Sequence, residues 1–421
     1  MIIHLDIDSF FVSAHRILDK TLLGKAVAVG GRSNLSIFDK KPDIKKVISQ
    51  NNGAFVSTIL SKNSNNFEEY YKDANGKVRG IITTSSYEAR KCGVKTAMSV
   101  SEALSFCPHL IMIPPDYTLY HDLSQKLNKY LYTKTPHVEQ FSIDEFFIDL
   151  SGYVENSEIM DFAKELKDEV FEKFGLPISI GIANTKWIAK LATNDAKPDG
   201  IKIVQANEVF DYIKDKPISA FPGIGKGYEK KLLINGIRKL GQIRDKKELF
   251  YSWKKPGIQL YNRVLGLDRE KTLTRNSKKS IGIGRTFDPI EDRKELKRRI
   301  IILCRYLSFL VFKQKVTPQT FFLQIRYEYN NKAKDYINTN RLFNEEFFKN
   351  SVLALFEKID THPTHYVIQL NLTVSNFVEN KNHSFDIFEY ENDKKNLELT
   401  KKINALRDKY GIDIIKNATE L

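Results

Sequence analysis

Cysteine is scarce in this chain. Only Cys92, Cys107 and Cys304 occur among 421 residues. They stand far apart without the spacing of a zinc site, so they read as reduced thiols of a cytosolic protein, and a disulfide framework is excluded. Long apolar runs are missing too, since no stretch approaches the roughly 20 residues that span a bilayer. The opening Met1-Ile2-Ile3-His4 lacks a basic n-region and reaches an acid at once, so no secretory signal is expected. No internal repeat is present.

Positive charge is in excess. The 66 basic and 52 acidic residues leave a formal net charge of +14. A polyanionic partner follows, nucleic acid first, although a basic surface kept for solubility alone would look the same. The hydrophobic share of 42% is ordinary for a globular protein, so disorder is not the expectation. The chain is too long for one core, and about two to four domains are expected.

The run Phe141-Ser142-Ile143-Asp144-Glu145-Phe146-Phe147-Ile148-Asp149 sets two adjacent carboxylates in an otherwise apolar segment. Burying even one carboxylate is costly unless its charge is compensated. A divalent metal is an economical compensation, since Mg²⁺ takes oxygen ligands from carboxylates and substrate phosphates together. A third acid, Asp6, lies in Ile2-Ile3-His4-Leu5-Asp6-Ile7-Asp8, whose strict alternation predicts a strand. Together the three acids suit two-metal phosphoryl transfer. Solvent-facing acids at strand ends are the plainer alternative.

Strands are expected over 25–29, 138–150 (two, meeting near Asp144-Glu145) and 177–182, and helices over 9–18, 116–135, 156–174 and 185–195. Ser85-Ser86-Tyr87-Glu88 reads as a capping box with Ser85 as N-cap, opening a short helix that stops at Gly93. The stretch 33–80 is polar and reads as a long loop, an insertion or a flap. Helices fill 207–270, and 272–279 is a basic linker. Beyond it come strands at 321–329 and 366–374, helices at 294–312 and 344–358, and a charged tail that turns helical near 401–410. Strands and helices mixed in this way predict an α+β domain with a sheet-floored cleft.

Tyr87 and Arg90, three apart, share a helix face and offer a polar handle and a guanidinium fork to a triphosphate. Lys197 adds a cation on the turn Lys197-Pro198-Asp199-Gly200, which is also plain turn chemistry. Phe221-Pro222-Gly223-Ile224-Gly225-Lys226-Gly227 reads as a helix–hairpin–helix, whose backbone N–H groups grip a DNA phosphate without reading sequence. An interhelix turn is the alternative.

Asp6-Ile7-Asp8-Ser9-Phe10-Phe11, Ser86-Tyr87-Glu88-Ala89-Arg90-Lys91-Cys92-Gly93-Val94, Ser142-Ile143-Asp144-Glu145, Ala196-Lys197-Pro198-Asp199-Gly200 and Pro222-Gly223-Ile224-Gly225 occur in an order that closely resembles the Y-family of translesion DNA polymerases, DinB/UmuC branch, bacterial DNA polymerase IV-like. The likeness covers roughly the first 270 residues and is mostly positional beyond Ser280. It implies a multidomain α+β right hand. The palm (mixed sheet plus helices) would be 1–10 and 116–205, the small fingers 11–115, and the helical thumb with its helix–hairpin–helix 206–271. The linker would be 272–279, the α/β little finger 280–380 and the charged tail 381–421.

The implied activity is DNA-templated addition of deoxynucleotides to a primer 3′-end, with low fidelity and lesion bypass in DNA damage tolerance. Asp6, Asp144 and Glu145 would hold two Mg²⁺, helped by the Ile7 carbonyl, with Mn²⁺ as a substitute. Phe10, Phe11, Thr84, Tyr87, Arg90 and Lys197 would hold the deoxynucleoside triphosphate. Phe11 would be the steric gate, leaving no room for a 2′-hydroxyl; without the resemblance it reads as a core aromatic. Gly223, Gly225, Lys226, Lys278 and Lys279 would touch primer–template DNA. The expected protein is a monomer without membrane contact, in the cytoplasm at the bacterial nucleoid.

Three features depart from the family pattern. The insertion at 33–80 would cover the templating base, contact DNA or be disordered. His15 stands where many members have an acid. Ser384-Phe385-Asp386-Ile387-Phe388 looks like a sliding-clamp peptide without its glutamine, through Phe385, Ile387 and Phe388, or like an apolar patch docked on the little finger. A non-catalytic DNA-binding relative is the alternative, and the presence of all three acids argues against it. A nucleotide cyclase leaves the 222–225 motif, the basic linker and the C-terminal domain unexplained.

Overall fold

Ile3, Leu5 and Ile7 alternate with His4 and Asp6 along the strand Ile2–Ile7, and both sets are buried. In the computed structural model, which describes residues 1–39, 44–47, 59–61, 67–73, 75–273, 278–378 and 386–420, this strand is the centre of a five-stranded sheet. The order is Ile201–Val204, Ile178–Ala183, Ile2–Ile7, Glu145–Asp149, Val138–Gln140. The central strand runs antiparallel to both neighbours, and the edge strand Ile201–Val204 is parallel to Ile178–Ala183.

The helices Tyr117–Leu131 and Ile159–Phe174 cover the Ile3, Leu5 and Ile7 face with Leu123, Leu127, Leu131, Ala163, Leu166 and Val170. Each fully buried leucine, isoleucine or valine there contributes about 1.5–3 kcal/mol. The helix Lys186–Ala196 lies on the opposite face, where Thr193 meets His4 at 2.8 Å. A Cβ at Gly181 would stand 2.0 Å from the Ala189 carbonyl oxygen, so only glycine lets helix and strand approach this closely.

A smaller sheet places Val27–Gly31 between antiparallel Ile81–Ser85 and parallel Ile111–Ile113. Its core includes Tyr71, whose hydroxyl donates to the Gly30 and Ile113 carbonyls at 2.8 and 2.7 Å. Tyr71 ends the helix Phe67–Tyr71, so the stretch expected as a polar loop contributes to the core here. The capping serine also differs from expectation. Ser85 pairs with Ala28 and is committed to its strand, so Ser86 caps the helix Tyr87–Lys91 by accepting from the Ala89 N–H at 3.2 Å.

Residues 206–264 form short helices around Val209, Ile213, Leu232, Ile243 and Leu260, as the sequence predicts. Contacts divide the chain into two units. The first takes in Met1–Gly31 and most of the chain up to residue 276; the second takes in residues 277 onward together with, among the described residues, 32–39, 44–47 and 59–61.

The second unit is built on an antiparallel sheet ordered Ser280–Ile290, Val367–Val378, Thr317–Tyr327, Lys332–Asn338. The first and last of these strands are not expected from the sequence. The helices Arg293–Gln314 and Glu345–Ile359 pack on it through Leu303, Leu307, Leu310, Phe348, Val352 and Leu355. Ile37 and Phe38 join this core, the Arg299 guanidinium lies 4.5 Å over the Phe38 ring, and Arg298 donates to the Phe38 carbonyl at 3.0 Å.

The charged tail is a docked element of this unit. Its helix spans Tyr390–Tyr410, and Arg341 pairs with Asp393 at 2.8 Å. Arg305, 1% exposed, meets Glu420 and Asp413, each at 2.8 Å. Among the described residues no helix is long and apolar enough to cross a membrane.

Candidate active site

The pairing register brings the predicted acids together. Asp6 lies directly opposite Glu145, and the Ile7 N–H donates to the Asp144 carbonyl at 3.0 Å. Phe141 and Ser142 both donate their N–H groups to the Glu145 carbonyl, at 3.0 and 3.1 Å, which closes the turn that presents Asp144. The three carboxylates therefore share one end of the sheet. Burial pushes Asp6 up to about 7, Lys197 opposes this, and Asp144 and Glu145 add to it. Asp144 is also raised, by burial and then by Glu145.

Two lysines hold these acids. Lys197 Nζ is 2.7 Å from Asp6 Oδ1, so the cation assigned from sequence to a triphosphate rests on a carboxylate here. Lys190, which sequence reasoning misses, binds Glu145. It stands four residues after Lys186, which reaches buried Glu139 at 2.6 Å, and both lysines project from the same face of one helix. That spacing is the signal, but lysines on an amphipathic helix usually read as solvated. His4 Nε2 lies 4.0 Å from Glu145 Oε1, and burial, followed by Lys190, Lys197 and Lys186, holds His4 well below the usual histidine range and neutral.

The donor set fits divalent cations. It is all oxygen and partly buried, and bound positive charge would offset the burial that raises Asp6 and the repulsion from Asp144 and Glu145 that adds to it.

Asp8 is a second residue missed from sequence. Its carboxylate accepts from the Tyr87 hydroxyl, the Ser179 hydroxyl and the Asp199 N–H, each at 2.8 Å. It ties the strand, the helix Tyr87–Lys91 and the Lys197 turn into one frame. Burial and Asp8 push the Tyr87 hydroxyl up, so it stays a donor. Arg90 lies 4.6 Å over the Tyr87 ring, as the three-residue spacing predicts, and its Nε donates to the Ser85 carbonyl at 3.1 Å. Thr84 sits in the adjoining strand, opposite Val29.

Phe11 stacks on buried Tyr120 with 4.1 Å between centroids and 8° between planes. Tyr120 is in turn held by His15, with 2.8 Å between its hydroxyl and Nε2. Phe10, 2% exposed, packs in the core and leaves only its backbone for a nucleotide.

Gly225 caps the helix Lys226–Ile234, and Gly223 takes φ 103°. A Cβ at Gly223, Gly225 or Gly227 would meet nothing within 4 Å. Packing inside the molecule therefore does not require glycine at 225 or 227, where φ is ordinary; an approaching external backbone or phosphate would. In the second unit Lys278 and Lys279 precede the strand Ser280–Ile290, and burial lowers Lys278. Ile387 and Phe388 are 80% and 95% exposed, which does not match a docked patch; Phe385 lies outside the described residues.

The sequence matches the impB/mucB/samB family over residues 5–194 and the C-terminal domain of that family over 278–387. Among curated relatives, DNA polymerase IV of Shewanella frigidimarina is 32% identical over 289 residues, 68% of each chain. DNA polymerase IV of Staphylococcus aureus strain JH9 is 26% identical over 394 residues, 92% of this chain and 98% of that one. The Clostridioides difficile protein of the same name is 27% identical over 397 residues, 92% of this chain and 97% of its own. Among solved structures, the Y-family DNA polymerase chimera Dbh-Dpo4-Dbh aligns with a TM-score of 0.68 at 21% identity, covering 90% of this chain and 99% of that one. DinB from Sulfolobus solfataricus aligns with a TM-score of 0.54 at 20% identity and the same coverage. These two establish a shared fold.

Proposed function

This chain belongs to the impB/mucB/samB family and is a Y-family, DinB-type translesion DNA polymerase, and from that premise we propose how its residues divide the work. Divalent metal chemistry comes with the family. Asp6, Asp144 and Glu145 hold two Mg²⁺, or Mn²⁺ in their place, with the Ile7 carbonyl as a further ligand. When bound, the ions lower the pKa of the primer 3′-hydroxyl and neutralise the departing pyrophosphate. Lys197 exchanges Asp6 for the triphosphate, and Lys190 keeps its hold on Glu145. Tyr87 and Arg90 orient the phosphates from a helix fixed by Asp8, beside Thr84 and the Phe10 backbone. Phe11 closes the space beside the sugar C2′ atom.

The observation that carries this reading is the meeting of Asp6 with Glu145 on paired strands and with Asp144 in the adjoining turn, with lysines as counter-charges of Asp6 and Glu145. Primer extension with Mg²⁺ tests it. Asp144→Ala should lose extension by on the order of a thousandfold or more while still binding primer–template DNA. Extension at the wild-type rate would overturn it.

The palm is 1–10 and 116–205, the fingers 11–115, the thumb 206–271, the linker 272–279 and the little finger 280–380. The bare glycines at 223 and 225, with Lys226, Lys278 and Lys279, grip the DNA backbone. The exposed Ile387-Phe388 pair, with Phe385, serves as a clamp peptide. The enzyme works as a cytoplasmic monomer at the nucleoid.

A further inference from the structure

Two cysteines that the sequence keeps 15 positions apart meet in the fold. Cys92 caps the C-terminus of the helix Tyr87–Lys91, and Cys107 caps the helix Val100–Phe106. His109 follows two residues later, in a turn closed by the Leu110 N–H on the Cys107 carbonyl at 3.0 Å. The two sulfurs and a ring nitrogen of His109 all lie within 4.8 Å of one another. Among the described residues they are the one group of three or more such side chains this close together.

One pair of these donors stands at the spacing of a metal centre. Zinc held tetrahedrally, with bonds of about 2.3 Å to sulfur and 2.0–2.1 Å to nitrogen, sets sulfur and nitrogen about 3.6 Å apart and two sulfurs about 3.8 Å apart. Cys107 Sγ and His109 Nε2 stand 3.6 Å apart. The donors are sulfur and imidazole without a carboxylate, a set that selects zinc-like cations over Mg²⁺. Cys107 is buried, Cys92 half-buried and His109 exposed, so the cluster has a floor and a side open to solvent. Three protein ligands leave a fourth position for water.

We propose that Cys92, Cys107 and His109 form a zinc-class cation site in the first unit, with water as fourth ligand. A cation there links the end of the helix carrying Tyr87 and Arg90 to the turn after Val100–Phe106. It braces the side chains assigned above to the triphosphate, and in that consequence alone it rests on the proposed function.

The test is binding of metal to the full-length chain, reduced and stripped of metal, with neither DNA nor nucleotide present. Titration with Co²⁺ should give one equivalent with a thiolate-to-cobalt charge-transfer band, and Zn²⁺ should displace it. Cys92→Ser and Cys107→Ser should abolish the band, while Cys304→Ser should leave it intact. His109 is exposed, so His109→Ala should fold normally, keep the sulfur band and weaken binding at least about tenfold. No sulfur band in the wild type, or a band that survives Cys92→Ser and Cys107→Ser, would overturn the proposal. Cobalt held by the carboxylates alone gives no sulfur band and counts as the same negative result. None of these readouts needs polymerase activity, so the site and the proposed function fail separately.

Discussion

A flat ring can exclude a hydroxyl only if it cannot move aside, and Phe11 is backed by the parallel face of Tyr120 at 4.1 Å. Phe11→Ala should therefore raise ribonucleotide incorporation relative to deoxynucleotide by on the order of 10–100-fold, measured as a ratio of kcat/KM values. Unchanged sugar discrimination would remove Phe11 from the gate. His15, which positions Tyr120, gives a pH signature. Burial lowers it from the ordinary 6.5, with Asp116 opposing, so the unfolded chain takes up the proton first as pH falls. Its contribution to stability is full above 6.5 and is lost as pH drops from there through the folded-state value. Urea unfolding at about pH 7.5 and pH 5.5 should show His15→Gln losing less stability than wild type over that interval.

The acids and the Tyr87–Arg90 pair were legible from sequence because each breaks or keeps a short local rule: alternation in a strand, a charge in an apolar run, a three-residue step on a helix. Lys190 was not, because its role depends on a carboxylate 45 residues away across a sheet. The Cys92–Cys107–His109 group was hidden for the same reason.

At the scale of elements, the strands missed by sequence have physical excuses. Lys332–Asn338 is an edge strand with little apolar content, and Ser280–Ile290 carries Gly282 and Gly284, which weaken a strand pattern. The short helical turn Ser36–Phe38 sits in a polar stretch, yet it supplies two buried residues to the second unit. Phe38→Ala should cost about 3–5 kcal/mol, read as a lower urea midpoint for the second unit's transition with the first unit's transition unchanged. A stability equal to wild type would mean that the segment is an ornament and not part of that core.

For the whole molecule, the charge of +14 makes a prediction independent of any single residue. Binding to primer–template DNA should weaken steeply with salt, by at least about a thousandfold between roughly 50 and 200 mM if about six phosphates are contacted. Fluorescence anisotropy of a labelled duplex measures the slope. A flat salt response would mean that the basic surface serves solubility alone.

The chain contributes to the second unit early, through 32–39, 44–47 and 59–61, and again from 277. Its core therefore cannot close until the stretch beyond residue 277 has left the ribosome, although two of its buried side chains are made far earlier. Until then Ile37 and Phe38 are exposed hydrophobic groups waiting for a partner, and closing so long a loop makes this unit the slower one to mature. A fragment beginning at residue 277 would lack them from the start and carry an open slot beside Phe287 and Arg299.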